Sequence, residues 1–333
     1  MKNLLFLLTI LLIPNVASSQ KILTEHEVRN SIMNKAREHL VSQNFGALEE
    51  LVEQYSNSNA RTPSGVWKIG FIYAGITEIS GNSKIPNEDQ YWGFHDDRYT
   101  SWIEEYPQSA TAQIYYSKIL LRKAWYYRGA GYANTVDKQQ WALFYKFLNQ
   151  ASNHLDNFKD RSSKDPNWYE AKLEVAKGLG VDDDIYNNIL DEALDLHPYY
   201  YPIYFSAINR FAPRWHGSLE MMESFAARSV ELTRETEGVG MYARVYWYVS
   251  QSLYGDQLFT KSLISWDKMS QGIDDVLAKY PDQWNINNFA KFSCLARDKN
   301  KTRSLIMKIS GEPLRNVWGD RDMFNFCKNW SLE

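Results

Sequence analysis

The stretch from Asp165 to Pro198 reads DPNWYEAKLEVAKGLGVDDDIYNNILDEALDLHP, and it decides the fold. Proline cannot continue a helix but suits the first turn of the next one, so Pro166 and Pro198 each predict a corner between helices. The two prolines are 32 residues apart, close to the ~34-residue period of tetratricopeptide repeats. The ending from Ala193 to Pro198, with an alanine ahead of the proline, is typical of such a repeat.

Similar corners occur on both sides of this stretch. Pro107 precedes it and Pro281 follows it, at irregular steps of 59 and 83 residues. Nearer the N-terminus, apolar residues at helical spacing predict a hairpin of two helices, the first from Val28 to Leu40 and the second from Phe45 to Tyr55. No segment of five or more residues alternates apolar and polar side chains between turn signals, as strands would.

These patterns predict an all-α protein, an irregular α-solenoid of stacked helical hairpins that is tetratricopeptide-like. Helix pairs of this kind cannot bury their apolar faces alone, so they stack into a curved array with a concave side. Because such an array grows in one dimension, residues 20–333 are predicted to form a single helical-repeat domain.

The N-terminus has the features of a secretory signal peptide. Lys2 precedes an apolar run of about ten residues, and small residues follow from Ala17 to Ser19. The run is too short for a membrane span of roughly 20 residues. We therefore predict a signal peptide over residues 1–19, and a mature protein that begins at Ser19 or Gln20. No cysteine precedes Cys294, so lipid attachment at the cleavage point is excluded. The sequence predicts an exported protein, periplasmic or extracellular, without membrane insertion.

Net charge and aromatic content limit the kinds of molecule that the protein is expected to bind. The formal charge is −3 with acidic and basic residues interspersed, so no positive stripe is present to bind nucleic acid or an anionic membrane. Aromatic residues make up 15% of the chain, with 12 Trp and 22 Tyr. Aromatic side chains in such excess either pack helices together or line a binding surface.

Motifs that would indicate catalysis are missing from the sequence. It has no His-Glu-x-x-His, no Cys-x-x-Cys, no Gly-Lys-Ser/Thr and no Gly-x-Ser-x-Gly, so we predict no catalytic residue, no metal and no cofactor. The acidic run from Asp182 to Asp184 is predicted to cap a helix over 185–196. Glu223-Ser224 matches the Glu-Ser of lytic transglycosylases, but the segment that should follow is absent.

Two corners combine arginine with tryptophan and are the candidate ligand-binding residues. Trp125 and Arg128 lie before a Gly-Ala-Gly break, and Arg214, Trp215 and His216 follow a proline. Arginine offers a rigid fork to oxygen atoms and tryptophan a flat apolar face. We predict that these residues line one concave groove. In the alternative, each arginine binds helix-end carbonyls and each tryptophan fills a wedge between helices.

Three segments and Trp67 carry a resemblance to a known family. The segments are KAWYYRGAGY at 123–132, FAPRWHGS at 211–218 and NFAKFSCLARD at 288–298. Taken in order, they resemble the bacterial family called domain of unknown function 4034. The resemblance covers roughly 40–330, implies a helical, tetratricopeptide-like body and implies no activity. His216 stands where the resemblance places a small residue.

Cys294 and Cys327 are the only cysteines. Export favours a disulfide between them, while their apolar neighbours also suit two buried thiols.

For function, the sequence predicts a non-enzymatic binding scaffold with a protein, peptide or glycan of the cell envelope as partner. The alternative is an all-helical glycan-cleaving enzyme with a carboxylate pair in an aromatic-lined cleft. A third reading is glycan capture at a cell surface, which the missing anchor cysteine disfavours. The sequence does not give the oligomeric state.

Overall fold

The computed structural model describes residues 23–77, 87–215 and 217–333. The predicted signal peptide and His216 lie outside these residues. Within them, every regular element is a helix, and the only strand-like feature is an isolated bridge between Arg61 and Trp67. The prediction of an all-α fold is confirmed. No helix in the described ranges is long and apolar enough to cross a bilayer.

The helices differ widely in length, from single turns to five or six turns. In chain order the α-helices are α1 Glu25–Val41, α2 Phe45–Asn57, α3 Lys68–Thr77, α4 Glu88–Glu105, α5 Ala110–Arg128, α6 Lys138–Asn157, α7 Lys159–Ser162, α8 Pro166–Leu179, α9 Asp183–Leu196, α10 Tyr201–Arg210, α11 Leu219–Glu237, α12 Gly240–Val249, α13 Leu258–Lys261, α14 Trp266–Lys279, α15 Gln283–Leu295, α16 Lys299–Ile306, α17 Arg315–Trp318 and α18 Arg321–Leu332.

Local chemistry sets the ends of these helices. Asp165 accepts a hydrogen bond from the backbone of Asn167 and so caps α8, whose first residue is Pro166. Gly180 ends the same helix in the left-handed conformation, at φ 65°. Of the four predicted proline corners, Pro107, Pro198 and Pro281 lie between helices, and Pro166 begins one.

The acidic run before α9 differs from its prediction in one respect. Asp182 occupies the N-cap position but makes no side-chain cap hydrogen bond. Asp183 lies in the first turn, where a negative charge complements the helix dipole, and it accepts a hydrogen bond from Arg210 instead. The run therefore acts through charge and an ion pair rather than through a side-chain cap.

Most helix packing joins near neighbours in the chain. The principal pairs are α1 with α3, α5 with α6, α6 with α8, α8 with α9 and α10, α11 with α12, α12 with α14, α15 with α16, and α16 with α18, and α5 also contacts α3 and α8. The buried apolar residues form one cluster that extends from Ile32 to Cys327. The stacked-hairpin solenoid itself stays a prediction.

One loop joins parts of the chain that are far apart in sequence. The 61–67 loop, from Arg61 to Trp67, connects α2 to α3. Within it, the backbone N–H of Ser64 donates to the buried carboxylate of Glu25, at 2.8 Å. The carbonyl oxygen of Ser64 accepts from Arg244 at 3.0 Å and from Asn285 at 3.1 Å, 180 and 221 residues away in sequence. An open array in which each repeat contacts only its neighbours makes no such contacts.

A disulfide joins α15 to α18. The sulfur atoms of Cys294 and Cys327 are bonded at 2.07 Å, and both residues are buried. Of the two alternatives that the sequence leaves open, this structure contains the bridge. It ties the last helix of the chain to the helix that carries Asn285, a partner of the 61–67 loop.

Candidate functional site: an aromatic-lined cavity

A cavity of about 720 Å³ lies where α3, α5, α8 and α10 meet. Its volume is within the range of small-molecule sites, which are mostly apolar with a few placed polar groups. Aromatic rings make up much of its wall, among them Trp67, Phe71, Tyr73, Trp125, Phe205 and Tyr248. We refer to this space as the aromatic cavity.

Helical spacing explains how α3 and α5 contribute to the wall. Gly75 on α3 packs so closely on α1 that a Cβ there would lie 2.4 Å from the carbonyl oxygen of Met33. On α3, residues three or four apart share one face, and Gly70, Ala74 and Thr77 line the cavity in this way. On α5, residues three or four apart share one face, and Lys118, Leu121, Arg122 and Trp125 line the wall in this way.

Hydrogen bonds hold the polar ends of the wall aromatics away from the cavity. Tyr73 donates its hydroxyl to Asp165 at 2.7 Å, and Tyr200 donates to Asn167 at 3.0 Å. Trp67 donates its indole N–H to the carbonyl oxygen of Tyr199 at 2.5 Å. Burial raises the pKa of both tyrosines well above 10. The rings therefore stay neutral and fixed, and ring carbon is a large part of the surface they offer.

Four charged side chains line the wall, namely Lys118, Arg122, Glu170 and Glu174, and both carboxylates are paired with a lysine. Lys118 forms an ion pair with Glu170 at 2.7 Å, and Lys177 forms one with Glu174 at 2.6 Å. Lys177 is buried, and its ammonium lies 5.5 Å from the ring centroid of Trp215, within reach of a cation–π interaction. Each carboxylate in the wall is thus compensated by a lysine.

The predicted arginine and tryptophan residues come together in part. Trp125 and Trp215 meet edge to face, with ring centroids 5.9 Å apart. Arg128 lies over both Trp125 and Trp141, at 5.8 and 5.7 Å, and donates to the carbonyl oxygens of Gly129 and Gly131. Gly129 is the C-cap of α5 and Gly131 lies beyond it, so Arg128 binds the break that follows its helix and not the carbonyls of the last helical turn.

The second arginine takes a different position. Arg214 is exposed and donates to the side chain of Asn209 at 3.4 Å. Of the predicted residues, only Trp125 lines the aromatic cavity, and Arg128, Arg214 and Trp215 lie outside its lining. A ligand role for these three residues stays a prediction, and His216 is outside the described residues.

Sequence reasoning missed most of the cavity wall. Glu170 and Glu174 are one helical turn apart on α8, but such spacing is common among acidic residues and indicates no site by itself. In the sequence, only the family resemblance draws attention to Trp67, and it assigns this residue no role. No local pattern distinguishes these aromatics from those that fill the core.

Glu223 has a structural role in this fold. Its carboxylate accepts from the hydroxyls of Tyr242 and Tyr246, at 2.8 and 2.6 Å, and from Lys268 at 2.8 Å. The fold thus uses both oxygens of this carboxylate to join α11 to α12 and α14. In the described part of the chain, no group of three or more potential ligands could hold a metal ion.

Comparison of the chain with models of protein families, with characterised proteins and with solved structures finds no match. The resemblance to domain of unknown function 4034 stays a prediction.

A buried histidine near the cavity gives a pH-dependent prediction. His95, 3% exposed, contacts the hydroxyl of Tyr115. Burial, with Arg122 and Arg98 nearby, lowers its pKa from 6.5 to about 4. The unfolded chain therefore binds this proton first as the pH falls. The contribution of His95 to stability is complete above about pH 6.5 and is lost between pH 6.5 and 4.

We expect the free energy of unfolding to fall by about 2 kcal/mol from pH 7 to pH 5 through this residue. Urea titrations at both pH values measure the difference, and His95→Gln is expected to reduce it by that amount. An unchanged difference in the variant would contradict the assignment.

Proposed function

We propose that this protein is an exported, non-enzymatic scaffold that binds a protein, peptide or glycan of the cell envelope in its aromatic cavity. The observation that carries the proposal is the cavity itself, which combines a suitable volume with an aromatic wall and a few charged groups. The proposed export, to a periplasm or to the outside of the cell, rests on the signal-peptide features of residues 1–19.

Binding without catalysis is favoured by the state of the two cavity carboxylates. Glycoside cleavage needs two carboxyl groups on opposite sides of the bond, one of them able to give a proton. Glu170 and Glu174 project from the same helix and each contacts a lysine. Two carboxyl groups on one helix do not face each other across a bound sugar as that reaction requires.

A glycan-cleaving enzyme is the second candidate, because two carboxylates do lie in an aromatic-lined space. Release of reducing ends from a polysaccharide by the wild-type protein, lost in Glu170→Gln or Glu174→Gln, would favour this candidate. No release by the wild-type protein would favour a scaffold.

Filling the cavity tests the proposal. Ala74 lines the cavity from α3, and Ala74→Phe adds a ring to that space. We expect this variant to recover at least about tenfold less partner from an envelope extract, since a filled site loses its contacts with the ligand. Mass spectrometry of the material bound to the immobilised protein gives the measurement.

Ala278→Phe serves as the matched control, because Ala278 is exposed on α14, away from the cavity. Equal helical circular dichroism for the two variants would show that both fold. If Ala74→Phe recovers as much partner as the control, the cavity is not the binding site.

A further inference from the structure

We propose that the aromatic cavity takes a neutral oligosaccharide, and that Trp141 and Tyr145, beside the cavity wall on α6, stack on further sugar units of the same chain. This inference rests on the proposed binding function and names its ligand class.

The first argument is the balance of charge in the wall. Lys118 compensates Glu170, and Lys177 compensates Glu174, at 2.7 and 2.6 Å. Arg122 also lines the wall and has an interaction partner of its own. A charged ligand would have to break one of these pairs or leave its own charge uncompensated in a largely apolar space, and both cost free energy. A neutral ligand meets neither cost.

The second argument is the hydrogen-bonding capacity that the pairs retain. A carboxylate has about four lone-pair sites, and an ammonium group has three donors. The Lys118–Glu170 pair uses one donor on one oxygen, so acceptors and donors remain for hydroxyl groups. Sugars combine hydroxyls at their edges with a C–H face that packs on an aromatic ring. A peptide backbone instead requires partners for each N–H and C=O along its length.

The third argument is an aromatic surface that continues beyond the cavity. Trp141 and Tyr145 are stacked, with centroids 5.6 Å apart and planes at 19°, and Tyr145 is 43% exposed. Phe144 contacts both Trp141 and the cavity residue Trp125, at 5.6 and 5.0 Å. Arg128 lies over the same two tryptophans. We call Trp141 and Tyr145 the α6 platform.

The α6 platform has the composition of an extended binding surface rather than of a helix contact. Exposed aromatic side chains next to a cavity are features of recognition sites. Tyr126, at the same end of α5, lines the cavity and is also exposed. Phe144 and Arg128 each contact both Trp125 and Trp141, so the platform lies beside the cavity at Trp125.

The experiment compares three sets of probes on the whole mature protein. These are neutral oligosaccharides from disaccharide to hexasaccharide, uronic-acid oligosaccharides of the same lengths, and a library of short peptides. We expect binding to neutral sugars, with affinity that increases with chain length. Ala74→Phe is expected to weaken all of this binding by at least about tenfold. Trp141→Ala with Tyr145→Ala is expected to weaken only the longer sugars, by about tenfold.

Phe326→Ala is the control for the platform variant, because Phe326 is exposed on α18, outside both surfaces, and we expect it to bind as the wild type does. Preference for uronic-acid sugars overturns the inference of a neutral ligand. If peptides bind and sugars do not, and Ala74→Phe abolishes the peptide binding, the inference is overturned but the proposed function stands. If no probe binds in a way that depends on the cavity, both are wrong. Equal loss of short and long sugars in the platform variant overturns the role of the platform.

Discussion

Loss of the Cys294–Cys327 disulfide is expected to lower the free energy of unfolding by about 3–4 kcal/mol. The bridge closes a loop of 33 residues, and the chain-entropy relation gives a stabilisation of this size for such a loop. Urea denaturation of the wild-type protein and of Cys294→Ala with Cys327→Ala measures the difference. Alanine avoids placing a hydroxyl group at two buried positions.

The same measurement with reductant present provides the control. Reduced wild-type protein is expected to unfold near the midpoint of the double variant, while the midpoint of the variant itself does not respond to reductant. Coincident curves for oxidised wild type and the double variant would show that the bridge contributes nothing to stability.

Gly65→Ala is expected to destabilise the fold by about 3 kcal/mol. Gly65 has φ 90°, where a side chain costs about 1–2 kcal/mol. A Cβ at this position would also lie 2.6 Å from the ring of Tyr280 and 2.7 Å from the guanidinium of Arg244. Overpacking of this kind adds about 1–3 kcal/mol. Urea midpoints measure the total.

Gly180→Ala separates the two causes. Gly180 also has positive φ, at 65°, but a Cβ there meets no described atom within 4 Å. We expect only the conformational cost of about 1–2 kcal/mol for this variant. Equal destabilisation by the two substitutions would mean that the close approach of Tyr280 and Arg244 to the 61–67 loop has no energetic importance.

The sequence was sufficient for the helical class because its signals are local. A proline such as Pro166 at the start of α8, or a glycine such as Gly180 at its end, acts on the backbone within one turn. The two cysteines left two alternatives open, since apolar neighbours suit a disulfide and a buried thiol equally. Only the approach of α18 to α15 distinguishes them.

The contacts of the 61–67 loop could not be predicted from the sequence, because they join residues that are far apart in the chain. Its residues predict a turn and nothing more, while the partners of Ser64 are 180 and 221 residues away. The aromatic cavity could not be predicted for the same reason, because its residues Trp67, Trp125 and Tyr248 come from separate parts of the chain. The Arg–Trp corners stand out in the sequence, but Arg128 binds the carbonyl oxygens of Gly129 and Gly131, in the break that follows its own helix.

The contacts of Ser64 also constrain the order in which the chain reaches its native state. The carboxylate of Glu25 and the loop that it holds are complete only when Arg244 and Asn285 are in place. Pairings so distant in sequence delay the formation of native contacts, because the intervening chain must be ordered first. The hydrogen bonds of Ser64 to Arg244 and Asn285 are therefore expected to form late, after α1 and α3 have packed on each other.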